Sequence, residues 1–324
     1  MELITDDILN TSVQANFVVL PAVIGLLGIA FNFVIVAVFV KLGFSDTTNI
    51  SLLSLALADI GVLLTMVGYS VIYNPVVLAV TPSGVMDAVG YAVMGTSHVM
   101  FCRIAGCLTA FITVERFICI AWPLHVKSIV TPGRTTFTVV AIYVFMVSCT
   151  VPTIIANQIG PRFDPQLNTT VVGLVLSANA DQLENFTLVV DIIAQVTSFV
   201  LVTLSTLGLI RSLLKIAKWR RSTSTSSQAA ANVSGRDKQL VKMIVLISTV
   251  FIVCSLPTVV GNLVMIFSKD FNIKGGNKNL FLFVCGFFFL LDSINSTVNI
   301  FIYIKMSTKF RDVLLSFVCV VKEK

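Results

Sequence analysis

The stretch ISLLSLALADIGVLLTMVGYSVIY, residues Ile50–Tyr73, decides the fold. It runs for 24 residues with one charged side chain, Asp59. A helix needs about 20 apolar residues to cross the hydrocarbon of a bilayer. In lipid each backbone amide must be satisfied within the protein, so such a run is a helix and not a lone strand. A charge at mid-membrane costs about 2.5–3.5 kcal/mol on the insertion scale, so Asp59 has to face other protein. One segment thus calls for a bundle.

Six further runs are of the same kind: Phe17–Lys41, Met86–Ala121, Thr135–Asn157, Leu188–Ile216, Leu240–Phe267 and Leu280–Ile304. The expected fold is therefore all-α, a seven-transmembrane helix bundle over residues 17–304. Residues 1–16 precede it as an extracellular amino terminus. The third run is the longest and least hydrophobic, as expected of a helix surrounded by others. The strict alternation of a membrane β-barrel is absent. After the last span, Met306–Val321 sets Phe310, Leu314, Phe317 and Val321 on one face. Residues 305–324 are read as a short amphipathic helix on the inner membrane surface followed by a short tail. Cys319 near its end is a candidate for lipidation.

Composition agrees. Of 324 residues, 56% are hydrophobic and 12% charged, against roughly 25% charged in soluble domains. The net charge of +6 is no sign of a nucleic-acid partner, because Lys and Arg gather in short loops beside apolar blocks. Placing the amino terminus outside leaves Arg162, Lys269, Lys274 and Lys278 as the external cations. The cluster Arg211–Arg221, with Arg116, Lys305 and Arg311, then falls inside. Acceptor sequons at Asn10, Asn168 and Asn185 lie on the predicted outer side and are candidate glycosylation sites. The acidic first residues (Glu2, Asp6, Asp7) do not form a cleavable signal, and the first apolar run is expected to act as an uncleaved anchor.

Polar residues within the spans carry the functional reading. Glu115-Arg116-Phe117 closes the third span, and Ala121-Trp-Pro-Leu124 follows. Phe251-Ile-Val-Cys-Ser-Leu-Pro257 sets a proline inside the sixth. Asn299-Ile-Phe-Ile-Tyr303 ends the seventh, and Asn32 marks the first. On the seventh span Asp292, Asn295, Asn299 and Tyr303 recur at spacings of three, four and four, one helical face, which must point into the bundle.

This set, in this order, resembles the rhodopsin-like (class A) family of G-protein-coupled receptors over nearly the whole chain. The stretch Thr113–Pro132 is also similar to chemosensory receptors of gastropod molluscs, which are themselves similar to peptide receptors. The resemblance implies a receptor for an extracellular small molecule or peptide, chemosensory or neuropeptide-like, which activates a heterotrimeric G protein. Other implied partners are membrane lipids, arrestin and a receptor kinase, with phosphates expected on Ser222–Ser227. Arg116 would be held at rest by Glu115 or Asp237 and freed as the sixth helix swings out. Pro257 would be the lever and Phe251 a packing switch, with Asn299 and Tyr303 at the end of the seventh helix. Asp59 would hold a sodium ion with Asn32, Asn295 and Asn299, or the same residues would form a purely structural network. No other cofactor is expected. His98 lies eighteen residues, five turns, before Arg116, on the same face and at the pocket end. With Cys102, Arg103 and Asp292 it would line a pocket for a zwitterionic or peptide-like ligand; alternatively, Arg103 and Asp292 pair with each other.

The chain departs from the family pattern in several places. Tyr91 stands where the family has the third-span cysteine of an outer disulfide, and residues 158–184 contain none to pair with it. Ile142, Ser255 and Ile300 replace the fourth-span tryptophan, the sixth-span tryptophan and the seventh-span proline. No lysine lies between Lys278 and Lys305, which excludes a retinal Schiff base, and His98 takes the place of an amine-binding acid. No nucleophile–base or metal-hydrolase motif points to an enzyme. The alternatives are a secondary transporter, disfavoured by the lack of internal repeats, and a receptor-like copy that no longer couples.

Overall fold

The computed structural model describes residues 5–81, 84–122, 129–164, 168–222, 228–268, 270–271 and 276–322. Seven helices are long and apolar enough to cross a membrane, and the chain is a multi-pass membrane protein built as a seven-helix bundle. We label the spans α1 (Ile8–Leu42), α2 (Thr47–Ile72), α3 (Gly90–Ala121), α4 (Pro132–Ala156), α5 (Ala180–Lys215), α6 (Lys238–Met265) and α7 (Lys278–Met306). An eighth helix, α8, covers Thr308–Lys322.

Local chemistry sets several boundaries. Asp46 caps α2, its carboxylate accepting from the Thr48 amide at 3.0 Å. Thr131 caps α4 just before Pro132, whose missing N–H costs nothing at that position. Gly43 ends α1 with φ of 80°, a conformation open to glycine.

The first helix begins well before Phe17. It starts at Asp6 and passes through a π-helical stretch, Gln14–Val19, before Leu20–Leu42. Asn16, buried there, donates to Ser12 Oγ at 3.1 Å, so its polar group does not interrupt the helix. The 35-residue span is about 52 Å long at 1.5 Å per residue, against about 30 Å of hydrocarbon. Its first turns therefore project beyond the lipid.

The most enclosed helix is α2 and not α3: 78% of its apolar window is buried, against 50% for α3. Small residues explain this. Ala56, Ala58 and Gly61 let α1, α3, α4 and α7 all pack against α2. A Cβ on Gly61 would overlap the Phe101 ring of α3.

Between α4 and α5 the chain forms an antiparallel hairpin, β1 (Asn157–Asp164) and β2 (Thr169–Leu176), with Gly160 opposite Gly173. β2 packs against the short helix Val85–Val89 that precedes α3. The all-α expectation covers the bundle and misses this hairpin. The main apolar core fills the end of the bundle away from the amino terminus, around Ile35, Leu52, Leu108, Leu209, Ile244 and Phe310.

Candidate functional site

Three polar levels run down the inside of the bundle. The upper level is a narrow, partly open cavity between α3, α5, α6 and α7 with a free volume of ≈ 30 Å³. Its polar lining includes Arg103 from α3, Gln195 and Ser198 from α5, Ser255 from α6, and Asp292 and Asn295 from α7. His98 and Cys102, one turn apart on α3, meet Asp292 beside this space. His98 Nε2 is 3.6 Å from Asp292 Oδ2 and 3.5 Å from Cys102 Sγ, and that sulfur is 3.6 Å from the same carboxylate oxygen.

His98 itself is buried, 1% exposed. Its Nδ1 lies 3.0 Å from Thr65 Oγ1, and the Phe289 ring packs edge-on at 4.6 Å between centroids. Arg103 is differently placed. Its Nε is buried without a hydrogen-bond partner, and among the described residues it makes no ion pair within 4 Å. The pairing of Arg103 with Asp292 is thus not what the structure holds. Asp292 turns to His98 and Cys102, and the half-buried guanidinium in the cavity wall has Asp191 of α5 as a counter-charge beyond ion-pair distance. Phe251 forms the side of the cavity, packing with Ala110 and Val202 over Gly106. Pro257 lies within a helix that continues on both sides of it.

The middle level is built on Asp59, which is fully buried. Asn299 donates to Asp59 Oδ2 at 2.9 Å. Asn32 donates to the carbonyls of Gly28 at 2.9 Å and Ser296 at 2.8 Å, tying α1 to α7. Two oxygens have no hydrogen-bond partner among the described residues, Asp59 Oδ1 and Asn32 Oδ1, although the Ser296 hydroxyl stands beside Asp59. Buried acceptors are rarely left unsatisfied in this way. Both are hard oxygen donors, which suits a small cation or water. Asn295 lines the cavity above, and no hydrogen bond joins it to Asp59 among the described residues.

The lower level closes the far end. Arg116 Nη2 donates to Glu115 Oε1 at 2.6 Å and to Thr47 Oγ1 at 3.0 Å, and Thr47 donates to the same Glu115 oxygen at 2.7 Å. Glu115 is only 3% exposed. This triangle ties the end of α3 to the first turn of α2. Asp237, the other expected partner, has its side chain outside the described residues. Thr113 Oγ1 meets Ser248 Oγ of α6 at 2.9 Å, a direct polar tie between the two helices. Tyr303 is buried among rings, with Phe39 at 5.5 Å and Phe310 at 5.4 Å.

Sequence reasoning missed Thr47, Thr65, Gln195, Ser248 and Phe289. Lone hydroxyl and aromatic residues in apolar spans carry no spacing signal, and only tertiary packing reveals their partners. The sequons at Asn10, Asn168 and Asn185 are all exposed at the amino-terminal end of the bundle. Asn168 sits between the hairpin strands with φ of 48°, whereas Asn10 and Asn185 stand on helices. Cys319 lies on α8 with its side chain outside the described residues, as do residues 223–227. Cys102, Cys107, Cys149, Cys254 and Cys285 are free thiols.

At this same amino-terminal end Tyr91 OH donates to Glu184 Oε1 at 3.2 Å, and Asn157 Nδ2 donates to that oxygen at 2.8 Å. A model of the rhodopsin family of seven-transmembrane receptors matches residues 32–303. No curated protein matches the chain.

Proposed function

The chain belongs to the rhodopsin family of seven-transmembrane receptors, and from that premise we propose that it senses an extracellular ligand bearing an anionic group and activates a heterotrimeric G protein. The amino terminus, the hairpin and the cavity mouth face outward. The Arg116 end faces the cytoplasm, in keeping with the excess of Lys and Arg in the loops there.

One observation carries this reading. A single helix, α3, holds at Arg103 a cavity-lining guanidinium with no ion pair within 4 Å among the described residues, and a paired one at Arg116. A half-buried cation whose counter-charge, Asp191, stands beyond ion-pair distance is incompletely compensated, which is costly. A ligand carboxylate, gripped by the planar fork of Arg103, offsets that cost. Gln195, Ser198, Ser255 and Asn295 supply neutral hydrogen bonds nearby. An amino acid, an organic acid or a peptide terminus fits this chemistry, in line with a chemosensory or neuropeptide-like role.

Arg116, Glu115 and Thr47 form the resting lock of the coupling face. The Thr113–Ser248 bond holds α6 to α3 beside it. Outward movement of α6 about Pro257 breaks that bond and opens the coupling face, with Phe251 repacking against Gly106 as the cavity fills. At the middle level, Asp59 Oδ1 and Asn32 Oδ1 would hold a sodium ion, whose charge would compensate the buried carboxylate. Arrestin and a receptor kinase would act on the same cytoplasmic face, and glycans would sit on Asn10, Asn168 and Asn185.

The test is GTP exchange in membranes, with amino acids, organic acids and short peptides applied from outside. Wild type responds to a carboxylate-bearing member of the set. Arg103→Ala loses that response at normal surface level, and Arg116→Ala loses exchange altogether. A response that survives Arg103→Ala at unchanged potency removes the guanidinium from the ligand site.

A further inference from the structure

We propose that His98, Cys102 and Asp292 form a binding site for one zinc-class transition-metal ion, joining α3 to α7 at the wall of the cavity. Geometry comes first. The three donor atoms make a near-equilateral triangle with edges of 3.5, 3.6 and 3.6 Å. Tetrahedral zinc with bonds of about 2.0–2.3 Å places neighbouring nitrogen, sulfur and oxygen ligands about 3.3–3.6 Å apart. The triangle already has the size of one face of that tetrahedron, so no helix has to move for an ion to bind.

The histidine is prepared for the role. Thr65 Oγ1 donates its one proton to the Val62 carbonyl at 2.6 Å. At the 3.0 Å contact with His98 Nδ1 the hydroxyl oxygen must therefore accept, which places the ring proton on Nδ1. Nε2 then carries the lone pair, and it faces Cys102 and Asp292. Metal-ligating histidines are fixed in this way, by a hydrogen bond from the second ring nitrogen. The edge contact with Phe289 holds the ring plane.

The donor set selects the ion. Sodium, magnesium and calcium take oxygen ligands, whereas one nitrogen, one sulfur and one carboxylate oxygen suit zinc. Charge balances as well. Cys102 binds as thiolate and its proton leaves to solvent through the cavity, so a divalent ion with one thiolate and one carboxylate is neutral. Three protein ligands leave a fourth position open, as in zinc sites that bind an exchangeable partner. Cys102, Arg103 and Asp292 line the same cavity, so an anionic group of the ligand would complete the coordination. This regulatory role rests on the proposed ligand site, but metal binding itself does not.

The experiment uses the full-length receptor in lipid nanodiscs, with cobalt(II) as the spectroscopic probe and neither G protein nor organic ligand present. One equivalent of cobalt is expected to give thiolate-to-cobalt charge transfer and the intense visible bands of four-coordinate geometry, both removed by zinc. Cys102→Ser abolishes the charge-transfer band. His98→Gln and Asp292→Asn each weaken binding at least tenfold, and Thr65→Val weakens it on the order of 10–100-fold. His125→Ala, at the second of the two histidines in the sequence, and Cys107→Ala, at a free thiol farther along α3, leave it unchanged. Zinc also protects Cys102 of the unaltered receptor from alkylation, read by mass spectrometry, a measurement that needs no variant. No charge-transfer band in folded wild type, a band that survives Cys102→Ser, or unprotected Cys102 under saturating zinc each overturns the proposal.

Discussion

The hydroxyl of Thr47 lies 3.0 Å from Arg116 Nη2, which fixes the last turn of α3 to the first turn of α2. The same hydroxyl donates to Glu115 at 2.7 Å, so one small side chain serves both members of the ion pair. Glu115 and Arg116 are sequence neighbours, and neighbours on a helix do not face each other. The threonine between them lets an adjacent pair act as a lock across two helices.

Thr47→Val is therefore expected to raise ligand-free GTP exchange. Hydrogen bonds to charged groups contribute about 1.5–3 kcal/mol. Even about 1 kcal/mol of that, expressed as a shift between resting and active states, changes their ratio about fivefold. Guanine-nucleotide binding to membranes matched for receptor number checks this. Unchanged or lower basal exchange would show that the triangle does not distinguish the two states.

At the opposite end Tyr91 and Glu184 are joined where the family has a disulfide. Glu184 accepts from both Tyr91 and Asn157, and Asn157 is only 4% exposed. Tyr91→Phe removes one half-exposed hydrogen bond and should cost no more than about 1 kcal/mol. Glu184→Ala deprives the buried amide as well and should cost about 1–3 kcal/mol. Thermal unfolding of the purified receptor in one detergent ranks them. A larger fall in Tm for Tyr91→Phe would assign the link to the phenol and not to the carboxylate.

How much of this was legible follows from the kind of signal involved. The seven spans announce themselves because lipid demands about 20 apolar residues, a signal that survives any packing arrangement. The α7 face of Asp292, Asn299 and Tyr303 was legible for a related reason, since polar groups at helical spacing in lipid have to point inward. The helical start of α1 was hidden by Ser12 and Asn16, two polar residues that read as loop until they are seen bonding each other. The β1–β2 hairpin was overshadowed by the family expectation, although Thr169-Thr-Val-Val-Gly-Leu-Val-Leu176 is rich in β-branched residues. Which of Asp59, Asp292 and Arg103 meet was not legible at all. Sequence gives each a depth on its own helix, but rotation and neighbours come only from packing.

Asp59 leads to the third prediction. Among the described residues Asp59 Oδ1 and Asn32 Oδ1 have no hydrogen-bond partner, while Asn299 holds the other Asp59 oxygen. A sodium ion held there would favour the packed resting arrangement, so replacing potassium with sodium at constant ionic strength should lower basal exchange. Asp59→Asn removes the charge that attracts the ion, and the sodium effect should vanish while surface expression persists. An equal sodium response in both proteins would place the effect elsewhere.

The last prediction concerns how α8 is held. Phe310 is fully buried, its ring 5.6 Å from Phe39 and 5.4 Å from Tyr303. At the exposed side Lys41 Nζ donates to Ser316 Oγ at 2.8 Å and lies 4.5 Å from the centre of the Phe317 ring. These two attachments are unequal. Truncating a buried phenylalanine to alanine costs about 3–5 kcal/mol, because the lost contacts leave a cavity that neighbours only partly fill. An exposed cation–π contact contributes about 0.5–1 kcal/mol. Phe310→Ala should therefore free α8 and unsettle Tyr303, lowering both Tm and surface level, whereas Phe310→Leu retains most of each. Ser316→Ala and Phe317→Ala should be close to wild type in detergent. If Phe317→Ala proves as damaging as Phe310→Ala, then α8 is held by its outer face against Lys41, and the buried ring is a minor attachment.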